Sequence, residues 1–261
     1  MAVESKYVYG GSSDVGLMRE VNEDYFGFHT LSEDVLLCVV ADGMGSKPST
    51  LQPGAIAAVE VIRTMQQVFE EDKELVLNNP CFFLKYAMLS ANRVLGAFKM
   101  ANEEQHAGFG CSISCVLLYD SKKIAFAHCG NTRINLIRLA KDGGNNIYQL
   151  SVDHTRAMEL LQEGTIAPED INVHPGRLEL TSGLGFILDP VIQTYTTKLK
   201  ANDILLITTK GIHYGIRSEF LSQIVLAAQD WEGASISLIN AARSQQVADN
   251  MTAALMYIMD D

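Results

Sequence analysis

The acidic residue most capable of chemistry in this sequence lies where an apolar strand stops. The run Val35–Gly45 reads VLLCVVADGMG, and its continuous apolar part is typical of a central strand covered on both faces. Asp42 closes the run, so a rigid element holds a carboxylate that still reaches a cleft. Gly43 lets backbone carbonyl groups approach a ligand because it has no Cβ. A hard divalent cation would suit this turn, although Asp42-Gly43 alone is equally compatible with an ordinary hairpin turn.

A second group of charged residues lies upstream, in the segment SSDVGLMREVNED. Arg19 precedes Glu23 and Asp24 by four and five positions, so local folding alone brings a guanidinium and two carboxylates to one place. The segment is too acidic and too rich in turn residues for a buried strand. It is therefore a candidate functional loop, and a solvated charged loop is the alternative interpretation.

Two further apolar strands have a polar pair at one end. The strand Asp203–Thr209 stops at Lys210-Gly211, and Asp249-Asn250 leads into the last strand, MTAALMYIM. We expect Asp42, Lys210 and Asp249 to lie at neighbouring strand ends, with their side chains converging on one cleft that Arg19 overhangs.

The elements that must position these residues follow from the hydrophobic pattern. Apolar residues at helical spacing predict a helix over Gly54–Glu71, and Asn79-Pro80 begins a second helix that runs to about Glu103. The other predicted helices cover Thr155–Glu163, Ser218–Gln229 and Ser235–Val247. Short apolar runs separated by turns predict strands over YVYG, DYFGFHT, Gly108–Tyr119, Lys123–Cys129, Arg133–Leu139 and Asn145–Leu150, whereas Glu169–Gly185 is predicted as a loop. Consecutive strands with helices gathered in pairs indicate an α+β fold.

Bulk properties narrow the class of protein. The 261 residues, 48% hydrophobic and 20% charged, are typical of a globular chain, and we expect a single domain over 1–261. The formal charge of -11 argues against a nucleic-acid partner. Five cysteines without a CxxC spacing are expected to be reduced core thiols. The N-terminus lacks the apolar segment of a signal peptide, and no apolar run is long enough to span a membrane, so we expect a cytoplasmic location.

The ordered set REVNED, VVADGMG, GFGCS, GNTR, LSVDHT, DILLITTKG and ADNMT resembles the metal-dependent protein phosphatases of type 2C in their compact bacterial form. The resemblance covers residues 9–258, and the order and separations make it specific. It implies a four-layer α-β-β-α sandwich, in which two packed antiparallel sheets are flanked by antiparallel helix pairs. It also implies two Mg²⁺ or Mn²⁺ ions and hydrolysis of phosphoserine or phosphothreonine by a metal-activated water. The expected partner is a phosphoprotein, in opposition to a serine/threonine kinase, and the expected state is a monomer.

The resemblance also implies roles for individual residues. Arg19 matches the arginine that grips the phosphate. Asp249 matches a ligand of the first metal, and Asp42 with the Gly43 carbonyl matches ligands of both metals or of the second. Glu23 and Asp24 match acids that reach the second metal directly or through water.

Two positions depart from the family pattern. Lys210 stands in TTKG where the family has an aspartate that binds the first metal, and Asn131 stands in GNTR where bacterial members have the aspartate of a weaker third metal. A unit positive charge about 4 Å from a divalent cation costs on the order of 8 kcal/mol at an effective dielectric near 20. An ammonium and a fully charged metal therefore exclude each other there.

Three arrangements of Lys210 would avoid this conflict. The side chain could swing to solvent or onto Asp249, the amine could ligate in its neutral form, or the ammonium could stand in for the first metal and hold the phosphate. Two functions remain open in consequence. One is a working metal-dependent protein serine/threonine phosphatase with an impaired first-metal site. The other is a pseudophosphatase that binds a phosphoprotein or partner as a regulatory module without turnover.

Overall fold

Two five-stranded antiparallel sheets form the centre of the molecule in a computed structural model, which describes residues 7–45, 52–101, 108–140 and 144–259. The first sheet has the strand order β1-β10-β9-β6-β7 and the second β2-β3-β4-β5-β8. The strands are β1 Tyr7–Asp14, β2 Asp24–Ser32, β3 Val35–Met44, β4 Gly110–Tyr119, β5 Lys123–Cys129, β6 Arg133–Leu139, β7 Asn145–Gln149, β8 Gln193–Lys198, β9 Ile204–Thr208 and β10 Met251–Ile258. The helices are α1 Pro53–Glu71, α2 Lys73–Asn78, α3 Pro80–Ala101, α4 Arg156–Gln162, α5 Lys210–His213, α6 Ser218–Ala227 and α7 Trp231–Ser244.

The predicted central strand is β3, which pairs with β2 on one side and β4 on the other. Its residues from Val35 to Ala41 are fully buried, because both faces of the strand are covered. Val35, Leu37 and Val39 face a core shared with helices α1 and α3, while Leu36, Cys38 and Val40 face the other sheet. Coverage of both faces explains why the apolar run is continuous rather than alternating.

Three apolar cores separate four layers, as the sequence predicted. One core lies between the helices α1 and α3 and the second sheet, another between the two sheets, and a third between the first sheet and the pair α6 and α7. The prolines at the starts of α1 and α3 occupy the position where a helix tolerates a missing N–H. The fold is therefore the α-β-β-α sandwich.

Several boundaries differ from the sequence prediction. Helix α7 begins at Trp231 rather than at Ser235, because Asp230 caps it by accepting a hydrogen bond from the Gly233 N–H. Helix α2, the single turn α5 and strand β8 were not predicted from the sequence. Strand β8 (QTYTTK) is a largely polar edge strand, so it lacks the apolar pattern on which that analysis relied. Within the predicted loop Glu169–Gly185 the chain forms two short 3₁₀ turns.

The cysteines are all free, and four of the five are buried, as expected of core thiols. No helix in the described part of the chain is both long and apolar enough to cross a membrane.

Candidate active site at the strand ends

Four acidic or basic residues meet where strands of the two sheets end. Asp24 begins β2 and lies directly opposite Asp42, near the end of β3, in the antiparallel register. Lys210 follows β9, and Asp249 comes just before β10. The predicted convergence of Asp42, Lys210 and Asp249 is therefore present in the structure, and it joins residues from both sheets.

Lys210 forms an ion pair with each of two aspartates. Its Nζ lies 2.6 Å from Asp42 Oδ1 and 3.1 Å from Asp249 Oδ2. Burial lowers the pKa of the amine, but the neighbouring Asp42 and Asp249 carboxylates more than offset that effect and raise the pKa above its usual value. Burial raises the pKa of the Asp42 carboxyl and the Lys210 charge opposes that rise. The contact is thus a charged pair, and it favours the ammonium over a neutral amine.

Arg19 overhangs the cleft from the loop between β1 and β2. Its Nη2 lies 3.1 Å from Asp249 Oδ1, and its side chain remains 47% exposed. A guanidinium with one edge on a carboxylate and the rest in solvent retains donors for a phosphate.

The Arg19 loop is held by an asparagine to which the sequence analysis gave no role. Asn250 Nδ2 donates to the carbonyl oxygens of Val15 and Val21, and Asn250 Oδ1 accepts a hydrogen bond from the Glu23 N–H. These bonds fix both ends of the segment that carries Arg19. The Asp249-Asn250 pair was itself visible in the sequence, but only the fold shows what the amide contacts.

Asp24 is buried between the two sheets. Its Oδ2 accepts hydrogen bonds of 2.7 Å from the hydroxyl groups of Thr209 and Thr252, whereas its Oδ1 is buried and has no partner among the described residues. Burial, followed by the facing Asp42 carboxylate, raises the pKa of Asp24 to about 8. Thr209 and Thr252 were not identified from the sequence, because a threonine in an apolar strand carries no distinguishing signal.

Glycine is required where the chain closes around Glu23. A Cβ on Gly43 would lie 2.5 Å from the Glu23 carbonyl oxygen, which already accepts a 3.1 Å hydrogen bond from the Gly43 N–H. Glu23 is half-buried, and burial raises the pKa of its carboxyl. Glu23 and Gly43 therefore lie together beside Asp42, as the sequence predicted.

The donor set fits one of the two implied cation positions. Asp42 Oδ2 and Asp24 Oδ1 are buried carboxylate oxygens without a partner among the described residues, and such oxygens are the ligands that Mg²⁺ and Mn²⁺ prefer. The first position does not fit, because the Lys210 ammonium already contacts Asp42 and Asp249. At neither position do residues 7–45, 52–101, 108–140 and 144–259 bring together three acidic, histidine or cysteine ligands, so a cation at the second position would also need backbone or water oxygens.

Asn131 is engaged as a hydrogen-bonding amide. Its Oδ1 accepts from Ser112 Oγ at 2.9 Å, and its Nδ2 donates to Tyr214 Oη at 3.4 Å. Ser112 in turn pairs with Asp42 across β3 and β4. Asn131 thus lies next to the cleft and supports its wall, and a neutral amide supplies less attraction for a third cation than a carboxylate would.

The sandwich fold with acidic strand ends defines the class of phosphatase that the sequence motifs suggested. Residues 18–255 match the Protein phosphatase 2C family, and the chain belongs to that family. It is 25% identical over 250 residues to the protein phosphatase PhpP of Streptococcus pneumoniae, which covers 95% of this chain and 96% of the relative. It is 23% identical over 245 residues to the serine/threonine phosphatase stp of Listeria monocytogenes, covering 94% of this chain and 93% of the relative.

Solved structures share the same fold. The serine/threonine phosphatase of S. agalactiae superposes with a TM-score of 0.83 at 22% identity, over 97% of this chain and 99% of that one. The catalytic domain of PstP, a serine/threonine protein phosphatase crystallised with two manganese ions, gives a TM-score of 0.76 at 22% identity over 97% and 99% of the two chains.

Proposed function

We propose that this chain hydrolyses phosphoserine and phosphothreonine in proteins, with Mn²⁺ or Mg²⁺ as its cofactor. The observation that carries the proposal is the position of Arg19, a half-exposed guanidinium beside the cleft at which Asp24, Asp42 and Asp249 converge. The family assignment adds the activity named for the relatives, and PstP supplies the precedent for manganese.

Each residue of the cleft has a task in this function. The Arg19 donors bind the equatorial oxygens of the phosphoryl group, and the contact with Asp249 orients the guanidinium. Asp42 Oδ2, Asp24 Oδ1, the Glu23 carboxylate and the Gly43 carbonyl would hold a divalent cation. When bound, such a cation lowers the pKa of a coordinated water and neutralises phosphoryl charge. Thr209 and Thr252 keep the Asp24 carboxylate in position.

One observation favours the second function, binding of a phosphoprotein without turnover. The Lys210 ammonium contacts Asp42 at 2.6 Å, and Asp42 is the aspartate that the family resemblance makes common to both metals. This contact removes one oxygen and one negative charge from the cation ligands, so the expected turnover is slow compared with that of a site with two metals.

The decisive experiment is hydrolysis of a phosphothreonine peptide by the full chain while Mn²⁺ is titrated. We expect slow, Mn²⁺-dependent release of phosphate that is lost in Asp42→Asn, whereas Asp34→Asn, an exposed acid at the far end of β3, serves as the matched control. Binding of the peptide without release of phosphate would support the regulatory module instead. If the peptide is neither bound nor hydrolysed, both functions are excluded.

The setting we infer is a monomer of one domain over residues 1–261, acting on phosphoproteins of the cytoplasm against a serine/threonine kinase. The net charge of -11 supports a protein rather than a nucleic-acid or anionic membrane partner. Light scattering of the purified chain tests the monomer.

A further inference from the structure

Lys210 connects carboxylates that come from different sheets. Asp42 belongs to β3 in the second sheet, while Asp249 precedes β10 in the first sheet. The Nζ atom of Lys210 lies 2.6 Å from Asp42 Oδ1 and 3.1 Å from Asp249 Oδ2. A single ammonium therefore makes the link between these strand ends that a bridging cation would otherwise make.

The backbone leaves Lys210 little freedom to move away. A Cβ on the next residue, Gly211, would lie 1.9 Å from the Asn250 carbonyl oxygen, so the chain is packed tightly against the Asp249-Asn250 pair. The Lys210 side chain is only 15% exposed. Moving the ammonium to solvent would leave the buried Asp42 carboxylate without its positive partner, which is strongly unfavourable.

The remaining oxygen atoms show which cation position stays available. Both oxygens of Asp249 already have partners, because Oδ2 contacts Lys210 while Oδ1 contacts Arg19 and accepts a hydrogen bond from the Asn250 N–H. Asp42 keeps Oδ2, and Asp24 keeps Oδ1, both without partners among the described residues. The free oxygens thus belong to the second position alone.

We propose that the Lys210 ammonium permanently takes the place of the first divalent cation, so that this chain binds a single Mn²⁺ or Mg²⁺, at the second position. The proposal deepens the proposed function and rests on it for the identity of the cleft. The ammonium holds the ends of the two sheets together in the absence of metal. It also gives the phosphate-binding cleft a single positive charge that is covalently fixed, in place of the double charge of a metal ion that can dissociate.

Counting bound Mn²⁺ on the full chain by native mass spectrometry and isothermal titration tests the proposal without relying on turnover. We expect one tight Mn²⁺ per wild-type chain and two per chain in Lys210→Asp, which returns an oxygen ligand. We also expect EDTA to lower the thermal midpoint of Lys210→Asp more than that of the wild type. Lys123→Asp is the matched control, since Lys123 pairs with Asp120 at the surface, and it should bind one Mn²⁺.

A second variant covers the case in which Lys210→Asp does not fold. Lys210→Met removes the charge and adds no ligand, so its metal-free thermal midpoint should fall below that of the wild type because Asp42 and Asp249 lose their shared partner. Two tight Mn²⁺ on the wild type, or an unchanged metal-free midpoint in Lys210→Met, would overturn the proposal. Two cations together with hydrolysis would refute this inference and leave the proposed function intact. One bound cation without hydrolysis would support this inference and refute the proposed function.

Discussion

Asp24 and Asp42 lie directly opposite each other on β2 and β3, and both side chains are buried at the edge of the cleft. Burial, together with repulsion from the facing Asp42 carboxylate, raises the pKa of Asp24 to about 8. In the metal-free chain at pH 7 Asp24 is therefore largely protonated and behaves as a neutral hydrogen-bonding group. A bound cation would remove that proton and reverse the repulsion.

The first prediction concerns Asp24→Asn. Because the amide resembles the protonated acid, we expect the free energy of unfolding in EDTA at pH 7 to change by no more than about 1 kcal/mol. Mn²⁺ affinity should fall at least about tenfold, since one anionic ligand is lost. Urea unfolding and isothermal titration measure the two effects, with Asp34→Asn as the control for simple loss of a negative charge. Unaltered Mn²⁺ affinity would mean that Asp24 does not serve the cation.

The second prediction concerns Arg19→Ala and phosphate recognition. A charge-assisted contact with phosphate contributes roughly 1.5–3 kcal/mol, so the phosphopeptide dissociation constant should rise roughly 10- to 150-fold whether or not turnover occurs. Fluorescence anisotropy with a labelled phosphothreonine peptide measures this change.

Arg243 offers a matched control for Arg19. Its Nη1 lies 3.2 Å from Asp14 Oδ2, and its side chain is 43% exposed, so it is also a half-exposed arginine in an aspartate pair. Arg243→Ala should leave peptide affinity unchanged. An equal loss in both variants would point to a general charge effect and would remove Arg19 from the phosphate site.

The sequence predicted the parts of the fold that depend on local pattern. The buried strands β3 and β9 have continuous apolar runs, and Asn79-Pro80 marks the start of α3. Strand β8 escaped prediction because its stability comes from pairing with β5 along a polar edge, and not from an apolar face. The order of strands within each sheet was not predicted, since tertiary pairing leaves no local signature.

In the candidate site, too, the sequence predicted the features that depend on local pattern and missed those that depend on tertiary packing. Asp42, Lys210 and Asp249 could be expected at one cleft because each lies at the end of an apolar strand. That Lys210 contacts Asp42 as well as Asp249 depends on how closely the two sheets pack, which no spacing along the chain encodes. The supporting bonds from Thr209, Thr252 and Asn250 depend on the same packing.

The third prediction concerns Asn250, whose side chain makes three hydrogen bonds to the backbone of the Arg19 loop. At roughly 0.5–1.5 kcal/mol each, their loss in Asn250→Ala should cost about 1.5–4.5 kcal/mol of stability. Residues 15–23 should also exchange their amide hydrogens faster, and phosphopeptide affinity should fall because Arg19 is no longer positioned. Urea unfolding and hydrogen exchange followed by mass spectrometry measure these effects.

Asn92 on α3 provides a matched control for Asn250. Its side chain also makes three hydrogen bonds to backbone groups, namely those of Gly185, Ile187 and Leu188. Asn92→Ala should cost a similar amount of stability without altering exchange in residues 15–23. Equal exchange of that segment in both variants would show that Asn250 has only a general stabilising effect.

The last prediction concerns the buried histidine His128 and the response of the fold to acid. Its Nδ1 lies 3.0 Å from Ser114 Oγ, its Nε2 lies 3.0 Å from the Gly130 carbonyl oxygen, and its ring is fully buried. Burial, with a smaller effect of the neighbouring His154, lowers the pKa of His128 to about 3. The unfolded chain binds this proton near its ordinary pKa of about 6.5, whereas the folded chain does not bind it until about pH 3.

Stability from the neutral His128 side chain is therefore complete above pH 6.5 and is lost as the pH falls towards 3. The expected contribution to the loss is about 2–3 kcal/mol between pH 6.5 and 4.5. Urea unfolding at pH 7, 5.5 and 4.5 measures it in the wild type and in His128→Gln, which keeps polar atoms but does not titrate. We expect the variant to be less stable at pH 7 and to lose stability less steeply on acidification. Parallel pH curves for the two proteins would show that the pKa of His128 does not change on unfolding.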